Sequence, residues 1–330
     1  ALNTNTYVVV VDTDSTNRSP TNTGASAPLV CAGFNGNGKG DFALARSAGS
    51  TTKYQVSAGA WAGSWTPLST AALDNGSNNV EFQLQWSDLG LAPTNSSVGL
   101  YLYVCNGTSL VSAWPPENVQ AGTNPTLNTE VVFSTNDTGR IPRTYGRHVG
   151  DEQVTVSTGG PFNLLNGYVR LSNVSGVSGC AFTASVNGNA DTADPNTIRR
   201  TYTLTPGAGC TGLTADLTLK YEDGTLANNA PDELAGFMES SLKLLRWSGS
   251  SWSPLPTTVD TVNNAATTAA VNQFSPWSLG KGSPTAVTIS SFTAVPLSKG
   301  EAGSQFVLGL GLVELLAGGI AFGARRRVRQ

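Results

Sequence analysis

Two groups of side chains in this sequence have types and spacings suited to chemistry. The first is a set of carboxylates. Asp12-Thr13-Asp14 closes an apolar run, and Asp41 precedes the next one. Together they offer the hard oxygen ligands that calcium takes. The competing reading is a turn in which the Asp side chains cap their own backbone. The second group is aromatic. Trp61, Trp65 and Trp114 lie among Gly, Ser and Pro, outside any strand alternation. An exposed indole face there can stack on the apolar C–H face of a sugar, and a buried one plugs the end of a sheet.

Other catalytic chemistry finds little support. Asp151-Glu152 and Asp232-Glu233 are adjacent acids. A glycosidase needs two carboxyls facing each other across a cleft, and sequence neighbours on loops do not provide that. The single histidine, His148, excludes a multi-histidine metal site and leaves one poor candidate for a Ser-His-Asp arrangement. GxSxG, Walker and HExxH motifs do not occur. No enzymatic activity is expected, and no cofactor beyond a structural calcium.

The elements that would carry these residues are short strands. Thr6 to Val11 is β-branched and apolar, and Val98 to Cys105 alternates. Phe42–Ala45, Tyr54–Val56, Val80–Trp86 and Val131–Phe133 complete a first set. A second set includes Val154–Val156, Gly167–Leu171, Ala181–Val186, Arg200–Thr205 and Ala215–Tyr221. It ends with Leu242–Trp247 and Trp252–Leu255 around a Ser-Gly-Ser-Ser turn, then Ala266–Val271 and Phe274–Leu279. No amphipathic helix of useful length interrupts them. Strands of this length and spacing predict an all-β chain of two tandem antiparallel β-sandwich domains.

The expected division is a sandwich over 1–135, a linker over 136–152 and a second sandwich over 153–282. The linker reading rests on Arg140, Arg143 and Arg147 beside Pro142 and Gly146, with His148 inside it. A polar stem follows over 283–305. Four cysteines split evenly between the halves, which in an exported protein predicts two disulfides, Cys31 with Cys105 and Cys180 with Cys210. Ala1-Leu2-Asn3-Thr4 carries no basic or apolar leader and reads as a mature N-terminus.

The segment Phe306–Phe322, FVLGLGLVELLAGGIAF, has one charge, Glu314, and four arginines follow within 325–330. Seventeen helical residues span about 26 Å, close to the apolar thickness of a bilayer. The expectation is a C-terminal transmembrane helix over 306–324 with a basic cytoplasmic tail and the upstream domains outside. A buried core helix and a cleavable sorting signal are the competing readings. Glu314 is costly in a membrane and, with Gly319 and Gly323 at small-residue spacing, marks expected helix contacts. The arginines contribute +4 to a net charge of −3, so the rest of the chain is near −7, which argues against nucleic acid.

The run YVVVVDTD, then DFALA, then VEFQLQWSDLGL resembles the sugar-binding and DOMON-like β-sandwiches of bacterial exported proteins. The second half resembles a module of bacterial surface proteins that precedes a membrane or sorting segment. Its marks are the strand from Leu244 to Leu255 with the W-x-G-S-x-W core, Val259 to Asn263, and Phe274 to Leu279. These resemblances imply surface display. The expected function is that of a non-enzymatic, membrane-anchored cell-surface protein acting as a structural or interaction subunit with other protein subunits as partners. The alternative is a carbohydrate-binding or adhesion protein that takes a cell-surface glycan.

Overall fold

The computed structural model describes residues 5–14, 24–35, 38–47, 50–63, 84–135, 146–190, 194–225 and 231–281. The protein is all-β, and among the described residues there is no α-helix. The first half contributes β1 (Thr6–Asp12), β2 (Gly33–Phe34), β3 (Phe42–Ser47), β4 (Ser50–Ser57) and β5 (Ala60–Ala62). It continues with β6 (Ser97–Asn106), β7 (Ser109–Trp114), β8 (Gly122–Thr123), β9 (Thr126–Leu127) and β10 (Thr129–Ser134). The second half contributes β11 (Arg147–Val156), β12 (Phe162–Leu164), β13 (Val169–Ser175), β14 (Cys180–Gly188), β15 (Thr197–Pro206) and β16 (Thr214–Lys220). It ends with β17 (Leu242–Trp247), β18 (Trp252–Pro254), β19 (Thr258–Asp260), β20 (Ala265–Val271) and β21 (Pro276–Lys281). All of them belong to one compact unit, Ala1–Pro284.

One antiparallel sheet of 14 strands runs through both halves, in the order β18-β17-β21-β15-β14-β11-β10-β6-β1-β3-β4-β5, with β7 and β8 branching from β6. Strand β1 shows why the first half needs cover on both sides. Val8 and Val10 enter a cluster with Phe34, Tyr101 and Tyr103, while Val9 and Val11 enter another with Val98 on the opposite face. A fully buried valine contributes on the order of 1.5–3 kcal/mol, so four in one strand make it a core element of both layers. The first cluster is covered by residues 24–35 and the small β2–β9 pair, held by the Cys31–Cys105 disulfide at a Cα separation of 5.8 Å.

The second half is a two-sheet sandwich. A five-stranded sheet, β12-β13-β16-β20-β19, packs on the large sheet around Leu171, Leu217, Phe182, Tyr202 and Trp277. Cys180 and Cys210 are bridged at a Cα separation of 5.3 Å. On the loop-entropy account the 30-residue separation stabilises the fold by roughly 3.5 kcal/mol.

The halves are joined where a linker was expected over 136–152. Residues 147–152 are the first part of β11, and 136–145 lie outside the described residues. Strand β11 pairs with β10 through Thr129↔Gly150, Glu130↔Val149, Val131↔His148 and Val132↔Arg147, and with β14 from His148 to Val156. The alternation is real but hidden, because the inward positions are His148, Gly150 and Glu152 instead of aliphatic residues. Gly150 is required by close approach: a Cβ there would lie 2.3 Å from Thr129 Oγ1 and 2.6 Å from the Asn128 carbonyl.

A second difference concerns Val80–Trp86. Its first four residues lie outside the described residues, Gln85 is extended, and Trp86 opens a 3-10 turn, Trp86–Leu89. The Asp88 carboxylate accepts from the Gln85 backbone N–H at 3.1 Å and draws the chain into the turn. The segment expected to form a membrane helix, 306–324, lies outside the described residues. Among those described, no helix is long and apolar enough to cross a membrane.

A continuous sheet predicts one cooperative unfolding transition for both halves. Gly150→Ala should lower stability by about 1–3 kcal/mol through overpacking against β10. Thermal melts followed by near-UV circular dichroism check this, and two separable transitions in the wild type would contradict the shared sheet.

Candidate functional site

The sequence-derived carboxylates do come together. Asp12 ends β1, and Asp41 stands immediately before β3, whose Phe42 pairs with Val11. The Asp41 N–H donates to the Val11 carbonyl at 2.8 Å, and its own carbonyl accepts from Val56 N–H at 2.8 Å. This fixes Asp41 beside the turn that carries Asp14. Oxygens of Asp12, Asp14 and Asp41 lie within 4.8 Å of one another. Asp12 is fully buried and the other two are half-buried.

Local hydrogen bonds order the turn. Asp14 N–H donates to Asp12 Oδ1 at 3.0 Å, and Thr13 donates to Asp41 Oδ2 through its N–H at 2.8 Å and its hydroxyl at 2.6 Å. Burial raises the Asp41 pKa above the usual carboxylate range, the nearby Asp14 carboxylate adds to it, and the two Thr13 bonds oppose it. A cleft of about 390 Å³ opens beside the group, lined by Thr13, Asp41, Phe42, Gln55 and Leu89 among others. Three carboxylates converging from two strands are equipped to hold a hard divalent cation, with the remaining positions of a six- to eight-oxygen shell left to water or backbone.

A second polar group, at the joint of the halves, was not anticipated. Glu117, His148, Arg200, Glu222 and Glu233 are all fully buried. Glu117 Oε1 lies 2.9 Å from His148 Nδ1 and 2.7 Å from Arg200 Nη2, the latter an ion pair outside hydrogen-bond geometry. Arg200 Nε donates to Glu233 Oε2 at 2.6 Å. Glu233 also accepts from the backbone N–H of Asn189 at 2.6 Å and of Glu222 at 3.0 Å. Tyr168 donates to Glu222, and its ring lies 5.0 Å from the Arg200 guanidinium carbon.

The chain reaches this arrangement through Asn118. Its side chain accepts from the N–H groups of Asn128 and Thr129 at 2.8 Å each and donates to the Thr129 carbonyl at 2.7 Å. That fixes the turn after β7 against the start of β10 and aims Glu117 inward. Burial alone would raise the Glu117 carboxyl. His148 and Arg200 outweigh it and bring the pKa down to about 2. Burial raises Glu222, against the attraction of Arg200 and the Tyr168 bond. Arg200 is held well above its ordinary value, with the attraction of Glu233 foremost in overcoming burial. The signal for Arg200 was present in the sequence, since Ile198, Tyr202 and Leu204 point inward and Arg200 shares their parity. Glu117 lies in a loop and gave no such signal.

His148, expected on an open linker, is therefore a buried partner in this network because β11 carries it inward between Val131 and Gly188. The tryptophans separate. Trp61 is half-buried on β5, donates to the Ala27 carbonyl at 3.1 Å and meets Phe34 edge-on at 6.1 Å. Trp114 pairs with Leu102 and meets the His148 ring edge-on at 5.8 Å. Leu102 packs with Val9 and Val11, whereas Trp61 packs with Val8 and Val10, so these two indoles occupy opposite faces of the sheet. Trp65, Glu314, Gly319 and Gly323 lie outside the described residues. Comparison with protein-family models, with curated proteins and with solved structures returns no match.

Two outcomes follow for the polar groups. The folded-state pKa of Asp41 is raised, so in cation-free solution its contribution is present below the unfolded value and lost as pH rises through the folded one. Asp41→Asn should then stabilise the cation-free protein at neutral pH. Calcium should raise the wild-type melting temperature, by about 2.7 kcal/mol of added stability at 100 times its Kd, and leave that of Asp41→Asn unchanged. Calorimetry with calcium and with a chelator checks both. The Glu117 pKa is depressed, so its stabilisation is present above the unfolded value near 4.5 and is lost as pH falls through about 2. Glu117→Gln should cost about 3 kcal/mol at pH 7, with the deficit shrinking toward pH 2, as followed by denaturant titration across pH.

Proposed function

We propose that this chain is a non-enzymatic surface protein, anchored by the apolar segment Phe306–Phe322 with the β-unit outside, that acts as a structural or interaction subunit. The observation that carries this reading is the placement of the ionisable residues at the joint. Glu117, His148, Arg200, Glu222 and Glu233 are shielded from solvent and spent on fastening two halves of one sheet. A buried ionic network of this kind serves architecture, because no substrate reaches it.

The tail supports the anchoring half of the proposal. A stretch of seventeen residues with one charge, followed by four arginines, has the charge asymmetry of a membrane segment whose basic side stays in the cytoplasm. The second sequence-derived reading, sugar stacking on two of Trp61, Trp65 and Trp114, cannot use Trp61 with Trp114, since those two face opposite ways, and Trp65 lies outside the described residues.

The test is extraction of the native protein in mild detergent, followed by sizing and cross-linking. A defined assembly that weakens in Glu314→Leu and Gly319→Leu supports the proposal. A monomer with no cross-linked neighbour, or release of the protein from membranes by high salt alone, overturns it.

A further inference from the structure

On one face of the large sheet the two halves differ. In the first half that face is covered by residues 24–35, whereas in the second half it is the outside of the sandwich. The burial alternation of β14 and β15 shows it directly. Phe182, Ala184 and Val186 point into the core with Tyr202 and Leu204, and the alternate residues point out. The pairs are Thr183↔Thr205, Ser185↔Thr203 and Asn187↔Thr201. They form a grid of short, uncharged donors and acceptors, about 4.8 Å apart across strands and about 7 Å apart along them.

The flanks of the grid are also specific. On the β11 side, Gln153 donates to Thr183 Oγ1 at 3.2 Å, and the Asp151 carboxylate is engaged by Asn35 of the covering layer at 3.2 Å. On the other side, Thr203 pairs with the exposed Pro276, whereas Ser278 and Leu245, in the row of Thr201, are buried. Two residues beyond Leu245 on the same face stands Trp247, paired with Trp252. Their ring centroids are 5.3 Å apart at 60°, and both are partly exposed. The hydroxyl and amide grid lies between a ledge at Asn35 and an indole pair at the sheet's far margin, which the Thr203–Pro276 row approaches.

We infer that this face binds a neutral polysaccharide chain, with the Thr/Ser/Asn grid bonding the sugar hydroxyls and Trp247 and Trp252 meeting the C–H faces of its rings. The choice of partner follows from charge and polarity. A nucleic acid or acidic polymer needs cations, and the grid has none; Arg199, at the end of β15, turns toward the Asp232 carbonyl at 3.5 Å. A protein partner or second copy needs an apolar centre with aromatic or arginine anchors, whereas the centre of this face is hydroxyls. A sugar chain offers both hydroxyl rims and apolar ring faces, and β-branched threonines lose little rotamer freedom in meeting it. The inference goes beyond the proposed structural role and does not depend on assembly.

The experiment is co-sedimentation of the full chain, in mild detergent, with crystalline cellulose and with chitin. Retention of the wild type on at least one, weakened at least tenfold in Thr203→Lys and in Trp252→Ala, is the expected result. Thr203 is exposed, so its lysine variant should melt as the wild type does and isolates binding from folding. Absence of wild-type retention on both polymers, or equal retention of wild type and Thr203→Lys, overturns the inference. So does a change of oligomeric state in Thr203→Lys without polysaccharide retention, which would make the face a self-contact. Cross-linking of the native protein reports separately on the structural role.

Discussion

The arginine at position 200 is the constraint around which this fold is arranged. A guanidinium taken out of water is tolerated only where carboxylates lie close beside it. Arg200 meets two, Glu233 from its own half and Glu117 from the other, and lies against the rings of Tyr168 and Tyr202. Glu117 in turn needs both of these neighbours, His148 and Arg200, to remain ionised at full burial. The site is satisfied only when the turn after β7, the start of β11 and the middle of β15 are all in place. Even glycine is dictated locally: a Cβ on Gly188 would sit 2.8 Å from Arg200 Nη2 and 2.9 Å from Glu233 Oε1.

That dependence explains why the halves share a sheet instead of hanging from a linker. Backbone pairing of β10 with β11 is short, four residue pairs in all. Polar ties add to it on both faces. Asn166 donates to the Pro116 carbonyl at 2.8 Å, Asn189 to the Gly146 carbonyl at 3.1 Å, and Asn35 to the Asp151 carbonyl at 2.6 Å. Each is modest alone, about 1 kcal/mol net, but every one is geometrically incompatible with a swivelling joint.

How much of this was legible follows from what each position shows of its period. Strands β1 and β6 were readable as apolar runs buried on both faces, and β14 and β16 because aliphatic or aromatic residues alternate with polar ones. The Trp247–Trp252 hairpin was readable from its turn, where Ser248 N–H donates to the Ser251 carbonyl at 2.9 Å. The cysteine pairs followed from their division between the halves. The Asp12–Asp14–Asp41 group was visible because two local carboxylates and a third at the mouth of the next strand are brought together by one antiparallel pairing. The beginning of β11 was opaque for the opposite reason: its core-facing positions are not aliphatic, and their partners come from distant loops and strands, as with Glu117, 31 residues from His148. Burial of polar groups leaves no hydrophobic period to read. Short strands such as β12 and β19, three residues each, carry too few positions for any period.

The two ends of the molecule's chemistry thus obey opposite rules. At the joint, three carboxylates gather around Arg200 and His148 out of reach of solvent, so they hold geometry and are closed to ligands. At the β1–β3 turn, carboxylates are grouped with a hydroxyl and face a cleft, and burial pushes Asp41 toward its protonated form. The turn there carries a trio of carboxylates within reach of one another. Two of its members, Asp12 and Asp14, are joined by an Asx turn that one aspartate would suffice to cap. Three carboxylates whose oxygens lie within 4.8 Å of one another are the physical reason to look for a cation there. The grid on β14 and β15 shows the third possibility, polar groups that are neither paired inward nor charged.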